Sequence, residues 1–504
     1  MGIIIRQSIK GTIANYIGIA VGFVTTFFVL TNYLTTAEVG LTRVLVDAGT
    51  LFSSFALLGT GSSIIRFFPY FKDEEQKNHG IFFWSLIIPL VGFALFILCF
   101  FLCKGLIIRT FSDNSPLFVN YVYYILPLAF FMVYLYVFEC NATILMRVAV
   151  PKFIREVVIR VLLLAGYILF GHGIINLDGL VIFFCATYGI AAALNFIYLI
   201  STQKISFKPD WKYITKDLRR EFIYYTLFLI TAALVANVLP TLSSFFVTAQ
   251  MGLAFTGVYA IATYIAAVIE VPYRSLSAIV NPQISVAIKE QDIPKATSLC
   301  QKVALNQFLA GATIFLIIWI NIDLLFQILP NGEQYATGKW VVFILGLTRL
   351  MISSFGIGGA PLGYSKFYYF SLLFTLVLMI SSIFLNYYLI PIYGINGAAF
   401  ATLLSNFVYY VLSLWFVQKK IGTTPFSWNL LKVLALIAIM TALNYGFTYI
   451  NGYIFRNPTI VMAVVEAVLR TGIVCISGLI MLYFGRVSPE INVMIDKAIA
   501  KVRH

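Results

Sequence analysis

The sequence predicts an all-α polytopic membrane protein of about 14 transmembrane helices: two six-helix lobes in parallel repeat, then two extra helices. Three observations carry this. Apolar residues make up 61% of the 504 and charged residues only 11%, against roughly 25% charged in a soluble domain. The apolar residues gather in runs of about 20, the length that crosses ~30 Å of hydrocarbon. Basic residues concentrate in alternate connections between those runs.

Turn-like and charged punctuation sets the spans at 11–34, 44–68, 80–104, 119–145, 156–171, 178–201, 221–249, 257–281, 298–325, 340–361, 368–390, 397–418, 429–450 and 458–484. The fifth is short, and Gly356, Gly358, Gly359 and Pro361 interrupt the tenth, so thirteen is the alternative count. The first run follows Arg6 and Lys10, exceeds a signal-peptide core and lacks a small-x-small cleavage site, so it reads as a span.

With the N-terminus inside, inner segments carry 25 of the 34 lysines and arginines. Outer segments carry five: Arg43, Lys104, Arg109, Lys339 and Arg456. The last four, Arg160, Arg274, Arg349 and Arg470, lie within spans. This asymmetry places both termini in the cytoplasm. The net charge of +14 is thereby a topology signal suited to anionic lipid headgroups, not a nucleic-acid footprint.

Two landmarks recur at one offset. Gly40-Leu-Thr-Arg-Val in span two matches Gly257-Val-Tyr-Ala-Ile in span eight, 217 residues on, and Asp178-Gly179 matches Asn396-Gly397, 218 residues on. A shared offset argues for a duplicated six-helix unit whose copies keep the same orientation. The organisation expected is an N-lobe at 1–201, an amphipathic cytoplasmic linker at 202–220, a C-lobe at 221–420, two further spans at 421–485 and an amphipathic tail at 486–504. In the linker, Trp211, Ile214, Leu218 and Phe222 share a face at helical spacing.

Enzymatic chemistry finds little support. His79, His172 and His504 are scattered, and Cys99, Cys103, Cys140, Cys185, Cys300 and Cys475 lie in apolar stretches without metal or disulfide spacing. No cofactor or metal site is expected. The informative residues are ionisable groups inside spans, each costing at least ~2.5–3.5 kcal/mol in hydrocarbon unless it faces protein or water. Glu270 and Arg274 lie one turn apart beside Pro272, and helical rise puts them about 20 and 26 Å into span eight. Arg66 ends span two, the repeat partner of span eight, and Arg349 stands near the middle of span ten without a partner nearby in sequence. Arg43 and Asp47 form an i,i+4 pair at the outer end of span two, and Glu139 has Arg147 and Arg160 as candidate partners. Arg66, Arg274 and Arg349 are the candidate substrate-binding residues; Glu270, Asp47, Arg43 and Glu139 are the candidate coupling or gating residues. Pro240 and Pro272 mark expected bends, and Glu466 and Arg470 read as structural.

The six-plus-six-plus-two pattern, the turn Leu34-Thr-Thr-Ala-Glu-Val-Gly40, the segment Tyr393-Gly-Ile-Asn-Gly-Ala-Ala-Phe-Ala-Thr402 and Arg66-Phe-Phe resemble the polysaccharide transporter family of the multidrug/oligosaccharidyl-lipid/polysaccharide (MOP) exporter superfamily. The resemblance implies a MATE-like fold in a bacterial inner membrane. It also implies a flippase for polyprenyl-pyrophosphate-linked oligosaccharide, such as an O-antigen or capsule repeat unit, working by alternating access beside polysaccharide polymerase machinery. Arginine suits pyrophosphate because its planar fork donates paired hydrogen bonds and stays charged. Two other readings stay open. A cation-coupled multidrug exporter of the same superfamily would use an N-lobe carboxylate, for which Asp47 is nearest. A membrane glycosyltransferase or polymerase would need a catalytic loop.

Overall fold

The computed structural model describes residues 2–73, 76–202, 207–211, 213, 215–454 and 460–484. Every one of the fourteen apolar segments carries helix, and no strand occurs among the described residues. Among the described residues, nine helices are long and apolar enough to cross a membrane. Contacts divide the chain into two compact units, Met1–Ala260 and Ile261–His504. The first takes in the six N-lobe spans together with span seven and the start of span eight.

Within the first unit, span one runs as an α-helix over Gly2–Val24, widens to a π-turn over Thr25–Leu30 and closes by Tyr33. The Leu34–Gly40 turn is a capping box. Thr35 N–H donates to Glu38 Oε2 at 2.8 Å, and Thr35 Oγ1 accepts from Glu38 N–H at 3.3 Å. Two orphan donors are thus satisfied and the helix starts at Thr36, eight residues before the sequence-based boundary.

Span two is not continuous. Its first helix, Thr36–Ala56, stops, Leu58 and Gly59 adopt left-handed backbone (φ 47° and 69°), and a second helix runs Thr60–Phe71. Span five also contains a π-turn, Ile154–Val158, between Ala149–Phe153 and Ile159–Gly171. Leu41, Val44, Leu45 and Ala48 of span two form the core of this unit with Leu128, Ala129 and Val133 of span four.

The connection after span six departs from the amphipathic helix expected there. Residues 207–211, 213 and 215 are turn, bend or coil, and the helix begins only at Lys216. Side chains of this strap are held by the loop after span two and by the start of span three. The Tyr213 ring stacks on His79 at 3.7 Å, His79 Nδ1 meets Asp210 Oδ2 at 2.9 Å, and Trp211 packs edge-on against Trp84. Pro209 further opposes helix at the residue before it. The helix then continues through Pro240 to Met251.

In the second unit, the Tyr393–Gly397 segment is the turn between spans eleven and twelve. Gly394 (φ 59°, ψ −140°) takes a conformation essentially restricted to glycine. A Cβ on Gly397 would lie 2.1 Å from the Leu389 carbonyl oxygen, so the helices meet at backbone distance. Span ten breaks where its glycines predict, with a 3-10 turn at Gly356–Gly359. Ile269, Leu305, Phe308, Ala312, Phe315 and Leu350 form the core here, joined by Leu430 and Val433 of the thirteenth span. The tail at 486–504 lies outside the described residues.

Candidate functional site

Span eight changes from α-helix to a 3-10 turn over Val268–Glu270, and Pro272 sits in the first turn of the helix that resumes at Val271. This brings Glu270 into the interior of the second unit, its side chain 11% exposed. Both carboxylate oxygens are used. Oε2 accepts from Arg349 Nη1 at 2.7 Å, and Oε1 accepts from Arg274 Nε at 3.3 Å. Arg349, which has no partner nearby in sequence, finds one 79 residues away. Two guanidinium groups share one carboxylate, which leaves the triad with one positive charge. Arg349 is mostly covered, whereas the Arg274 side chain is 66% exposed. One charge anchors the triad and the other is presented.

In the first unit, Arg66 lies on the second helix of the broken span two. Its guanidinium carbon stands 3.9 Å from the Tyr225 ring centroid, and Nη2 is 3.9 Å from Glu221 Oε1. The side chain is half-exposed and only loosely ion-paired. Cation–π stacking orients such a group without consuming its hydrogen-bond donors.

Arg43 and Asp47 pair as their spacing implies, Nε to Oδ2 at 2.9 Å, with Asp47 buried. Glu139 pairs neither with Arg147 nor with Arg160. Its Oε2 accepts from Arg155 Nη1 at 2.8 Å, while Arg160 donates to Glu156 at 3.0 Å and to the Gly18 carbonyl of span one. Arg155 and Glu156 fall in the π-turn of span five, which sets their directions, and no i,i+4 rule reaches from Glu139 to Arg155. Glu466 and Arg470, read from sequence as structural, form an i,i+4 pair.

Of the expected site residues, then, Glu270, Arg274 and Arg349 come together in one cluster. Arg66, the Arg43–Asp47 pair and Glu139 occupy separate places in the first unit. Tyr225, Glu221, Arg155 and Glu156 are participants that sequence reasoning passed over; only the Glu156–Arg160 spacing carried a visible signal.

No protein-family model and no curated protein matches this sequence. Solved structures do. The lipid II flippase MurJ in an inward closed conformation superposes with a TM-score of 0.72 at 12% identity, over 96% of this chain and all of that one. A multidrug resistance MATE family transporter of the MOP superfamily, inward-facing, gives 0.62 at 14% identity over 81% of this chain and 98% of that one. An outward-facing MATE family transporter gives 0.56 at 16% identity over 83% and 95%. The chain is a multi-pass membrane protein whose helical fold is shared with these flippase and transporter structures.

Proposed function

We propose that the protein is a flippase that carries polyprenyl-pyrophosphate-linked oligosaccharide from the cytoplasmic to the outer leaflet of a bacterial inner membrane, by alternating access and not as an enzyme. The observation that carries this reading is the Glu270–Arg274–Arg349 triad. It places a net positive charge within a span and leaves Arg274 two-thirds exposed. A guanidinium held in that way matches a pyrophosphate, whose oxygens accept its forked donors. Arg66, half-exposed and steadied on Tyr225, offers a second such group. The full-length likeness to a flippase of lipid II supports the same reading, since the MATE structures leave almost a fifth of the chain unmatched. Both termini are assigned to the cytoplasm, and polysaccharide polymerase machinery is the partner class.

The second reading, a cation-coupled multidrug exporter, is favoured by the MATE folds themselves. Against it, the carboxylate best suited to cation binding, Asp47, is already held by Arg43 at 2.9 Å. Purified protein in liposomes containing polyprenyl-pyrophosphate oligosaccharide separates the two. Sugar newly exposed to an impermeant lectin, without an imposed ion gradient, is the flippase outcome. Gradient-driven movement of a cationic dye with no lectin signal is the exporter outcome.

A further inference from the structure

The first unit holds a half-open cavity of about 760 Å³, apart from the Glu270 triad and from Arg66. That volume falls within the ~300–1,000 Å³ of small-molecule sites. Spans two, four, five and six wall it. Four charged side chains line it: Glu139, Arg155, Glu156 and Arg160. They are paired among themselves, Arg155 to Glu139 at 2.8 Å and Arg160 to Glu156 at 3.0 Å. Glu139, Glu156 and Arg160 lie within spans, where a charge is expensive and marks pathways and sites.

Two further features distinguish this cavity from a packing defect. The first is the break in span two. Gly59 and Gly61 line the cavity beside the left-handed Leu58–Gly59 pair, where the twelve-residue helix Thr60–Phe71 begins. Non-helical backbone at membrane depth persists only where it is buried in protein or borders a wet cavity. Strain at a non-glycine residue such as Leu58 costs ~1–3 kcal/mol and gathers at functional sites. Gly61 also makes room for an aromatic wall, because a Cβ there would stand 2.4 Å from the Tyr136 ring. The second feature is Glu139 itself. Oε2 holds Arg155, but Oε1 is buried and accepts no hydrogen bond. The terminal carboxylate torsion is soft, so a small rotation offers Oε1 to a donor in the cavity.

The chemistry selects the ligand. The four charges sum to zero, so a cation meets two arginines and an anion meets two glutamates. A polyol suits both, because each hydroxyl donates to carboxylate and accepts from guanidinium. Tyr136 and Tyr188, also in the wall, provide aromatic faces for the apolar sides of sugar rings. We infer that this cavity binds the glycan of the transported lipid through sugar hydroxyls on Glu139 and Arg155 and a ring face on Tyr136. The inference rests on the flippase reading and adds to it a site for the sugar, apart from the arginines assigned to pyrophosphate.

The test compares two ligands on purified full-length protein in lipid nanodiscs: polyprenyl-pyrophosphate oligosaccharide and sugar-free polyprenyl pyrophosphate. The quantity read is the ratio of their affinities for wild type, Glu139→Gln and Tyr136→Ala. Wild type is expected to favour the glycan-bearing lipid about tenfold or more, and each variant to bring that ratio to within about threefold of unity, the loss of one or two good contacts. Tyr136 is 37% exposed, so its variant carries the test if Glu139→Gln does not elute as folded protein. An unchanged ratio in a folded variant, with wild type still moving the glycan lipid, overturns the glycan site alone. A shift in sodium or pH dependence at constant ratio also overturns it and makes the cavity an ion site. Wild type that binds neither lipid refutes the flippase reading itself.

Discussion

Gly40 and Gly257, 217 residues apart in sequence, meet backbone to backbone within the first unit. A Cβ on Gly40 would lie 2.0 Å from the Leu253 carbonyl oxygen, and a Cβ on Gly257 would lie 2.0 Å from that of Thr36. Thr36 and Leu253 are themselves 217 apart, so each glycine touches the residue four positions before its partner, the equivalent of its own neighbour. This reciprocity is what a two-fold contact between duplicated segments produces. Thr31 and Thr248 stand at the same 217-residue offset, both fully buried and each donating to the carbonyl four residues earlier, Phe27 and Ser244.

Gly40→Ala and Gly257→Ala are therefore expected to destabilise. In an unpacked helix alanine is better than glycine by up to ~1 kcal/mol. Here the new methyl meets a backbone carbonyl that no rotamer change can move, at a cost of about 1–3 kcal/mol. Thermal unfolding of the detergent-solubilised protein reads this as a lower Tm for each variant. An equal or higher Tm contradicts the close approach.

The Glu270 triad makes an asymmetric prediction. Glu270→Ala removes the counter-charge of a mostly covered Arg349 and should cost about 3 kcal/mol or more. Arg349→Met leaves Glu270 with Arg274 and should cost less. Combining Glu270→Gln with Arg349→Met should recover part of the loss, because neither partner is then left charged and alone. A double-mutant cycle on Tm measures the coupling, and strictly additive losses would mean the 2.7 Å contact contributes nothing.

Arg66 separates charge from shape. Arg66→Lys keeps a cation over Tyr225 but loses the planar fork. Initial translocation of lipid-linked glycan should fall about tenfold or more in Arg66→Ala, the effect of losing one charge-assisted contact, and partly recover in Arg66→Lys. Equal rates in all three proteins would remove Arg66 from the pathway.

The capping box accounts for the Leu34–Gly40 motif in structural terms. Thr35→Ala should cost about 1 kcal/mol of stability without altering which lipids are bound. Circular dichroism melts check the first half of that statement and a binding series the second.

The helices were legible because lipid imposes a length and an apolar run on each. The break at Leu58–Gly59 was not. Leu57-Leu58-Gly59-Thr60 reads as ordinary span sequence, and only the packing of Leu58 against Gly92 and the cavity beyond reveals the left-handed pair. Pairings four residues apart, Arg43–Asp47 and Glu270–Arg274, followed from helix geometry. Arg349–Glu270 and Glu139–Arg155 did not, because tertiary packing and a π-turn set them. The strap before span seven misled in the opposite direction. Its apolar spacing fits a helix, but stacking of Tyr213 on His79 and the contact of Asp210 with the same ring hold it in another shape.

We propose that Arg274 receives the pyrophosphate of a lipid-linked glycan. The most direct test is the initial rate at which lectin-detectable sugar appears across proteoliposomes carrying wild type, Arg274→Lys or Arg274→Ala, each reconstituted at equal density. Clear translocation is expected for wild type, a reduced rate for lysine and none above protein-free liposomes for alanine. Wild-type translocation by Arg274→Ala would contradict it.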